Sequence, residues 1–335
     1  MKIKYLPCQP HCFAFGGFDL QMIHTLDALY KIGVNVSKLN PWERDNDFEL
    51  LHLWGLDVSQ YRIINFAHKA NKKIIVTALT GYSGSFLNNV KRKIINKIQW
   101  PNYNLQIIKL IDSFVVLNEG QAEFAVDYLN VPENKICIIP AILNDNFYSL
   151  NENNNLFSKM FGFTDYILTT GNVGVRKNQL NLALACNKIN QKLVIIGNEV
   201  TGEEEYANQL KILENNSKCI KWIKELDNSS NLLQSAYVES KIFALVSHEE
   251  QQPMSAIEAA KIGKPLILAD KTYAKQSYFK NAYLTNINSV ENISNAILKI
   301  LATPEKYIVD TSDYETFSSN MVAEKYLKVY TKLIS

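Results

Sequence analysis

The sequence has few cysteines and no long apolar run, and these absences exclude two classes of protein. Its five cysteines are scattered and odd in number, which argues against the disulfide framework of a small secreted protein and favours a reducing compartment. No stretch approaches the roughly 18 to 20 apolar residues that span a bilayer, and residues 1–15 carry no signal-peptide cleavage pattern. We therefore predict a cytoplasmic protein.

Net charge is also small. The formal value of +2 provides no overall field that would attract nucleic acid, so we expect no nucleic-acid partner. Hydrophobic residues make up 47% and charged residues 20% of the chain, which is typical of a soluble globular enzyme. A length of 335 residues exceeds one ordinary hydrophobic core and suits two α/β domains.

One group of residues approaches a metal-binding pattern. Cys8, His11 and Cys12 lie close together in the sequence, and two thiols with an imidazole can form part of a zinc site. No second Cys/His pair follows at the spacing of structural zinc sites. We therefore interpret the three as loop residues and predict no metal site.

Short β-rich segments alternate with helix-length amphipathic segments along the whole chain. This alternation is typical of parallel α/β folds. Helices are predicted at Leu20–Ile32 and Gln121–Leu129, among others. The predicted strands are Ile3–Leu6, Asn35–Lys38, Leu50–Leu53, Lys73–Val76, Ser113–Val116, Ile136–Ile139, Tyr166–Thr170, Leu193–Ile196, Ile220–Trp222, Ile242–Val246 and Leu266–Ala269.

A polar segment near the midpoint marks the expected domain boundary. Residues 151–155 read Asn-Glu-Asn-Asn-Asn and can bury little apolar surface. We predict a first Rossmann-like domain at 1–150 and a second at 151–315. The last helix, Phe317–Ile334 within a segment 316–335, is expected to pack back on the first domain. Two such domains facing each other leave a central cleft at the carboxyl ends of their strands.

Two glutamates eight residues apart follow the predicted strand Ile242–Val246. The text runs from Glu250 through Ser255 to Glu258. With Ser255 near the start of a helix, Glu258 falls in the first turn, beside the partial positive charge of the helix amino end. A carboxylate there suits the two vicinal hydroxyls of a ribose, and Glu250 on the preceding loop can reach a second polyol. The alternative is a capping carboxylate and a solvated acid.

A glycine-containing basic loop follows the predicted strand Tyr166–Thr170. It contains Gly171, Asn172, Arg176 and Lys177. Glycines let backbone amides approach an oxyanion, and the adjacent cations supply charge for a diphosphate. The alternative is a surface basic pair at a helix start.

These motifs resemble those of the family 4 glycosyltransferases, the retaining GT-B group. The first resembles the Glu-x7-Glu signature of that family, although Gln251 replaces its usual glycine. The resemblance implies that Glu258 binds the donor ribose and that Glu250 binds the transferred sugar, with Ser255 among the donor-binding residues. The matched positions are Glu250, Pro253, Ser255, Glu258, Ala259, Gly263 and Pro265.

The basic loop resembles the GRxxxxKG element, in which an arginine and a lysine hold the β-phosphate. Lys177 matches the lysine, Asn172 stands where the arginine usually is, and Asn178 replaces the glycine. Arg176 is the candidate substitute for the arginine. The resemblance implies donor binding by Gly171, Asn172 and Arg176.

Further segments of the first half resemble the same family. Gly16 and Gly17 with Asp19 resemble its GGxE loop between donor phosphate and acceptor, which implies donor binding by both glycines. Segments 112–122 and 135–140 resemble two of its strands, so the likeness covers nearly the whole chain in the correct order. Relatives often carry a histidine after the strand that corresponds to Ile74–Thr77, and that histidine contacts the donor sugar. This chain has no histidine there, and Thr80 and Tyr82 are the candidates to replace it.

The resemblance implies an α/β GT-B fold and a retaining, hexosyltransferase-like reaction that needs no metal or other cofactor. The donor would be a UDP- or GDP-sugar and the acceptor a glycan or a lipid-linked molecule, in bacterial surface polysaccharide synthesis. The domain at 1–150 would lie on the acceptor side, and the domain at 151–315 would bind the nucleotide sugar. Glu250 and Lys177 would be the catalytic residues. A non-catalytic GT-B partner subunit and a nucleotide-sugar epimerase on the same fold are the alternatives.

A basic amphipathic segment leaves the relation to the membrane open. Val90–Ile98 places apolar residues on one helical face with cations beside them, a pattern that can lie on anionic lipid. The same apolar face also fits the core of a domain. Peripheral contact with the inner face of the membrane is therefore one of two interpretations.

Overall fold

The computed structural model describes residues 1–13, 16–80, 103–149, 155–227 and 230–335. The chain divides into two compact units. Unit 1 comprises Met1–Ile142 and Glu315–Ser335, and unit 2 comprises Leu143–Tyr314. Each unit contains a six-stranded parallel sheet with helices, so the predicted α/β class is confirmed. The basic segment Val90–Ile98 lies outside the described residues.

The sheet of unit 1 has the strand order β2-β1-β3-β4-β5-β6, and all of its pairs are parallel. The central strand β3 is buried at every position, because parallel sheets are covered on both faces. Its strands are β1 Lys2–Pro7, β2 Asn35–Lys38, β3 Leu50–Trp54, β4 Lys73–Thr77, β5 Ser113–Val116 and β6 Ile136–Ile138. Its helices are α1 Gly17–Lys31, α2 Tyr61–Lys69, α3 Tyr103–Leu110, α4 Glu119–Leu129 and, at the carboxyl end of the chain, α11 Ser319–Ile334.

The sheet of unit 2 has the order β12-β11-β10-β7-β8-β9, again with parallel pairs only. Its edge strand β12 spans only three residues and is not among the strands predicted from the sequence. The strands are β7 Tyr166–Thr170, β8 Lys192–Ile196, β9 Ile220–Ile223, β10 Ile242–Leu245, β11 Leu266–Ala269 and β12 Tyr283–Thr285. The helices are α5 Leu156–Phe161, α6 Gln179–Lys188, α7 Glu204–Asn215, α8 Asn231–Glu239, α9 Met254–Lys261 and α10 Val290–Ala302.

The units divide at Ile142, before the predicted boundary at 150 and 151. The residues that follow Ile142 are fastened to unit 2. Phe147 is buried, with its ring edge-on to Tyr237 at 5.3 Å. The Gln234 amide donates to the carbonyl of Asn146 at 2.5 Å and to that of Ser149 at 3.0 Å. Composition located the polar segment, but packing decides the boundary.

The helix α11 belongs to unit 1, where it packs against α1. It begins at Ser319 because the Ser318 hydroxyl accepts the amide of Met321 at 3.4 Å, as an N-cap does. Tyr326 and Tyr330 of this helix are fully buried against the sheet. The helix that lies last in the sequence therefore completes the core formed by the first strands.

A buried polar network fastens α11 to the sheet. His52 on β3 has Nδ1 2.8 Å from the Tyr330 hydroxyl and Nε2 2.8 Å from the Thr77 hydroxyl. The Tyr330 hydroxyl also contacts that of Tyr5, and Thr77 lies 3.2 Å from the Tyr326 hydroxyl. Since both ring nitrogens of the buried histidine have hydroxyl partners, the network satisfies the ring in its neutral form. His52 is thus a packed histidine of the core.

Burial lowers the pKa of His52 from 6.5 to about 3, which makes the free energy of unfolding depend on pH. The unfolded chain binds a proton below pH 6.5 while the folded protein keeps the ring neutral, so stability falls as the pH drops from 6.5 towards 3. We expect a loss of about 2 kcal/mol between pH 7 and pH 5. Urea unfolding at both pH values measures it.

His52→Gln should lack this loss, because an amide has donors and an acceptor but does not titrate. His68→Gln, at an exposed position of α2, is the matched control and should retain the pH dependence of the wild type. Equal pH dependence of the wild type and His52→Gln would contradict the assignment.

Candidate functional site

The site of unit 2 lies where the sheet order reverses. The strand β7 has β10 on one side and β8 on the other, with Ile242 paired to Ile167 and Tyr166 to Lys192. The loops that follow β7 and β10 therefore leave the same edge of the sheet side by side. Such a switch point is where ligands bind in open α/β sheets.

The loop after β7 is shaped by a close approach of backbone to backbone. Gly171 has φ +122° and Gly197, which follows β8, has φ +151°. A Cβ at Gly197 would overlap the carbonyl of Gly171, so only glycine fits there. The amide of Val173 donates to the carbonyl of Asn198 at 2.7 Å, and the Gln179 side chain donates to that of Asn172 at 3.0 Å.

Lys177 and Glu250 form an ion pair at the start of the two loops. Lys177 Nζ lies 2.6 Å from Glu250 Oε1, with the two side chains 13% and 9% exposed. The lysine also lies against Gly171, since a Cβ built there would be 3.3 Å from Nζ. Two residues predicted from separate motifs are thus in contact beside the glycine loop.

The charge state of Glu250 follows from this contact. Burial by itself raises the pKa of the carboxyl, but the charges of Lys177 and Arg176 and a hydrogen bond from Lys177 outweigh burial and lower the pKa below its usual 4.5. Glu250 is therefore ionised at neutral pH. An ionised carboxylate is an acceptor for hydroxyl groups.

Arg176 joins the two loops. Its Nη1 donates to the carbonyl of Glu249 at 2.6 Å and lies 3.1 Å from Glu250 Oε1. In return, the amide of His248 donates to the Arg176 carbonyl at 2.8 Å. The Asn178 side chain adds a bond to the carbonyl of Val246 at 3.2 Å. The loop after β10 is thereby fixed to the loop after β7.

Glu258 lies in α9, but not in its first turn. The helix begins at Met254, which makes Glu258 its fifth residue, so the expected favourable contact with the helix amino end is wrong. Burial raises the pKa of Glu258. The Tyr237 hydroxyl, 2.7 Å from that of Thr170, donates to Glu258 Oε2 at 2.6 Å, so a tyrosine positions this carboxylate.

The other two predicted side chains of unit 2 are less engaged. Ser255 is half-buried in the first turn of α9. Asn172 has an exposed side chain, and its carbonyl accepts the Gln179 amide. The position at which the resemblance expects an arginine therefore contributes backbone to the loop.

Comparison with known proteins shows what this chain is similar to. Residues 159–310, within unit 2, match the family model described as "Glycosyl transferases group 1". Over 268 residues the chain is 26% identical to N,N'-diacetylbacillosaminyl-diphospho-undecaprenol alpha-1,3-N-acetylgalactosaminyltransferase of Campylobacter jejuni, a match that covers 74% of this chain and 66% of that protein.

The fold is similar to that of solved glycosyltransferases. A structure of Anabaena HepE in complex with UDP and glucose has a TM-score of 0.74 at 13% identity, covering 99% of this chain and 100% of the other. Sucrose-phosphate synthase from Thermosynechococcus elongatus has a TM-score of 0.76 at 15% identity and covers 99% of both chains. This chain therefore has the GT-B fold of these glycosyltransferases.

Unit 1 carries the predicted Gly-Gly loop at the start of α1. Gly16 precedes the helix and Gly17 is its first residue. The Gly16 amide donates to Asp19 Oδ2 at 2.9 Å, and the same oxygen accepts the Gln9 amide at 2.7 Å. His11 Nε2 lies 3.2 Å from Asp19 Oδ1. In this structure the Gly16 amide thus has an acceptor within its own loop.

The structure describes three further residues that the sequence analysis named, which are Thr80, Cys8 and Cys12. Thr80, where relatives often carry a histidine, is buried and donates to the carbonyl of Gln121 at 3.1 Å, while Tyr82 lies outside the described residues. Cys8 is half-buried and Cys12 exposed. Over the described ranges, no group of three or more His, Cys, Asp and Glu side chains could hold a metal ion.

Sequence reasoning missed Gly197, Gln179 and Tyr237. The sequence offered a signal for Gly197, because a glycine directly follows the predicted strand Leu193–Ile196. Tyr237 lies within an ordinary amphipathic helix, and nothing in its neighbourhood in the sequence indicates the contact with Glu258.

Gly197→Ala should disrupt the glycine loop, and Gly202→Ala is its matched control. Both positions have positive φ, but a Cβ at Gly202 meets nothing within 4 Å. We expect Gly202→Ala to cost about 1 kcal/mol from backbone strain and Gly197→Ala to cost about 1–3 kcal/mol more from steric overlap. Urea unfolding measures both, and equal losses would refute the close approach.

Proposed function

We propose that this protein transfers a sugar from a UDP-sugar to a lipid-linked acceptor with retention of anomeric configuration. The observation that carries the proposal is the contact of Lys177 with Glu250 beside Gly171. It combines a cation for a diphosphate and an acceptor for sugar hydroxyls at one switch point. The proposal extends to family 4 membership, a cytoplasmic reaction and a role in surface polysaccharide synthesis.

The comparisons support the choice of donor and acceptor. The Campylobacter relative has an undecaprenol-linked acceptor in its name, and the Anabaena structure contains UDP and glucose. A GDP-sugar donor and a glycan acceptor are the alternatives within this proposal. In the described residues no helix is long and apolar enough to cross a membrane, and contact of residues 90–98 with the lipid surface stays a prediction.

In the proposed reaction the bond from the anomeric carbon to the diphosphate breaks while the acceptor hydroxyl attacks the same face. Negative charge develops on the diphosphate, where Lys177 stabilises it without a metal ion. A phosphate oxygen takes the acceptor proton, so no separate base is needed. Glu250 orients the sugar and Glu258 the ribose.

The ion pair rearranges when the donor binds. Lys177 leaves Glu250 for the diphosphate, and sugar hydroxyls replace the ammonium at the carboxylate. The lowered pKa of Glu250 keeps it ionised through this exchange at neutral pH. The exchange also explains why an ion pair so little exposed suits the site, since each charge has a partner in both states.

Glu250→Gln should lower the transfer rate by about 100-fold or more, since it removes a group that orients the reacting sugar. UDP should bind as well as before, because it lacks the sugar. Glu205→Gln, at an exposed position of α7, is the matched control with wild-type activity. The assay measures UDP release from a panel of UDP-sugars with and without polyprenyl-diphosphate-linked acceptors; GDP-mannose tests the other base.

The outcomes of this assay separate the alternatives. A wild type that binds no nucleotide in a thermal-shift screen would indicate a partner subunit, since a bound ligand raises apparent stability. A changed sugar with its nucleotide still attached would indicate an epimerase. Full transfer activity in Glu250→Gln would overturn the role of this residue.

Glu258→Gln tests the ribose contact independently. A carboxylate that accepts ribose hydroxyls should favour UDP over 2′-deoxy-UDP. We expect this preference to fall about tenfold in the variant, because the loss of one charged hydrogen bond lowers affinity by about that factor. Tyr237→Phe should reduce the preference less, since it removes only the group that positions Glu258. Isothermal titration with both nucleotides gives the ratios, and an unchanged ratio in Glu258→Gln would refute ribose binding.

A further inference from the structure

Arg176 and Lys177 are neighbours in the sequence but have different surroundings. The two residues end the 3-10 turn Val175–Lys177. The Lys177 side chain is 13% exposed, while that of Arg176 is 53% exposed. Lys177 lies over Gly171 and contacts Glu250. It is thus directed to the glycine loop and can supply charge to a diphosphate there.

Arg176 is directed instead to the backbone that carries Glu250. Its guanidinium donates to the carbonyl of Glu249 at 2.6 Å, and its own carbonyl accepts the amide of His248 at 2.8 Å. These two bonds hold both residues that immediately precede Glu250. A third contact, 3.1 Å to Glu250 Oε1, fixes the carboxylate itself. Nη1 carries two N–H groups, so this one nitrogen can make both contacts at once.

We propose that Arg176 is a positioning residue for Glu250 and that Lys177 holds the diphosphate. This assignment rests on the proposed function, and it removes Arg176 from the phosphate-binding role expected from the sequence. It also explains how the loop works with Asn172 in place of an arginine. One cation binds the leaving group, and the other orients the group that binds the sugar.

The assignment separates binding of the nucleotide from binding of the sugar. Loss of Arg176 would release residues 248–250 and misplace the carboxylate while leaving Lys177 and Gly171 in place. Affinity for a UDP-sugar should then fall, while affinity for UDP should change little. Loss of Lys177 should weaken both, because both ligands contain the diphosphate.

The experiment compares Arg176→Met with Lys177→Met, which both remove the charge and keep an unbranched apolar chain. Isothermal titration measures the Kd of UDP and the Kd of one UDP-sugar. That UDP-sugar is the one that binds most tightly to the wild type among UDP-N-acetylgalactosamine, UDP-N-acetylglucosamine, UDP-galactose and UDP-glucose. For Arg176→Met we expect the UDP-sugar Kd to rise about tenfold and the UDP Kd less than about threefold. For Lys177→Met we expect both to rise about tenfold or more. Lys218→Met, at an exposed position before β9, is the control.

A double-mutant cycle tests whether Arg176 acts through Glu250. In a Glu250→Ala background there is no carboxylate to position, so Arg176→Met should leave the UDP-sugar Kd unchanged. A purely structural defect would weaken UDP binding as well, so retained UDP affinity shows an intact site.

An equal loss of UDP and UDP-sugar affinity in Arg176→Met would make Arg176 a phosphate ligand and overturn the assignment. A full additional loss in the Glu250→Ala background would also overturn it. A wild type that binds neither UDP nor any of these UDP-sugars would overturn the proposed UDP-sugar transferase itself.

Discussion

The ion pair between Lys177 and Glu250 is the interaction on which the site depends. Two charges so little exposed to water have lost much of their hydration, and only their mutual contact and nearby hydrogen bonds offset this cost. Lys177 and Arg176 together outweigh the effect of burial on the pKa of Glu250. The pair therefore keeps a cation and an anion ready beside a glycine loop, which is the combination that a nucleotide sugar needs.

Backbone geometry makes that pair possible. Gly171 and Gly197 approach so closely that a side chain at Gly197 would overlap the carbonyl of Gly171, and Lys177 occupies the space over Gly171. The bonds from Arg176 to the backbone of residues 248 and 249 then bring the loop after β10 to the loop after β7. Each of the two loops is thus shaped by contacts to a neighbouring loop at the same sheet edge.

Buried polar groups in the core of unit 1 also pair with one another. Tyr326 and Tyr330, close to the carboxyl end of the chain, surround His52 with Tyr5 and Thr77. These polar groups are buried, but the described hydroxyls and ring nitrogens pair with one another, which avoids the cost of unsatisfied donors and acceptors. The network stabilises the neutral histidine and makes the docking of α11 sensitive to acid.

Local signals in the sequence, which are hydrophobic periodicity and glycine-bearing loops, were enough to predict the α/β class, most strand bounds and the two motifs that supply Lys177, Glu250 and Glu258. The orientation of Arg176, the tyrosine that holds Glu258 and the start of unit 2 at Leu143 became visible in the folded chain alone. These depend on contacts between residues far apart in the chain, and the adjacency of Arg176 and Lys177 could not reveal that their side chains are directed to different partners.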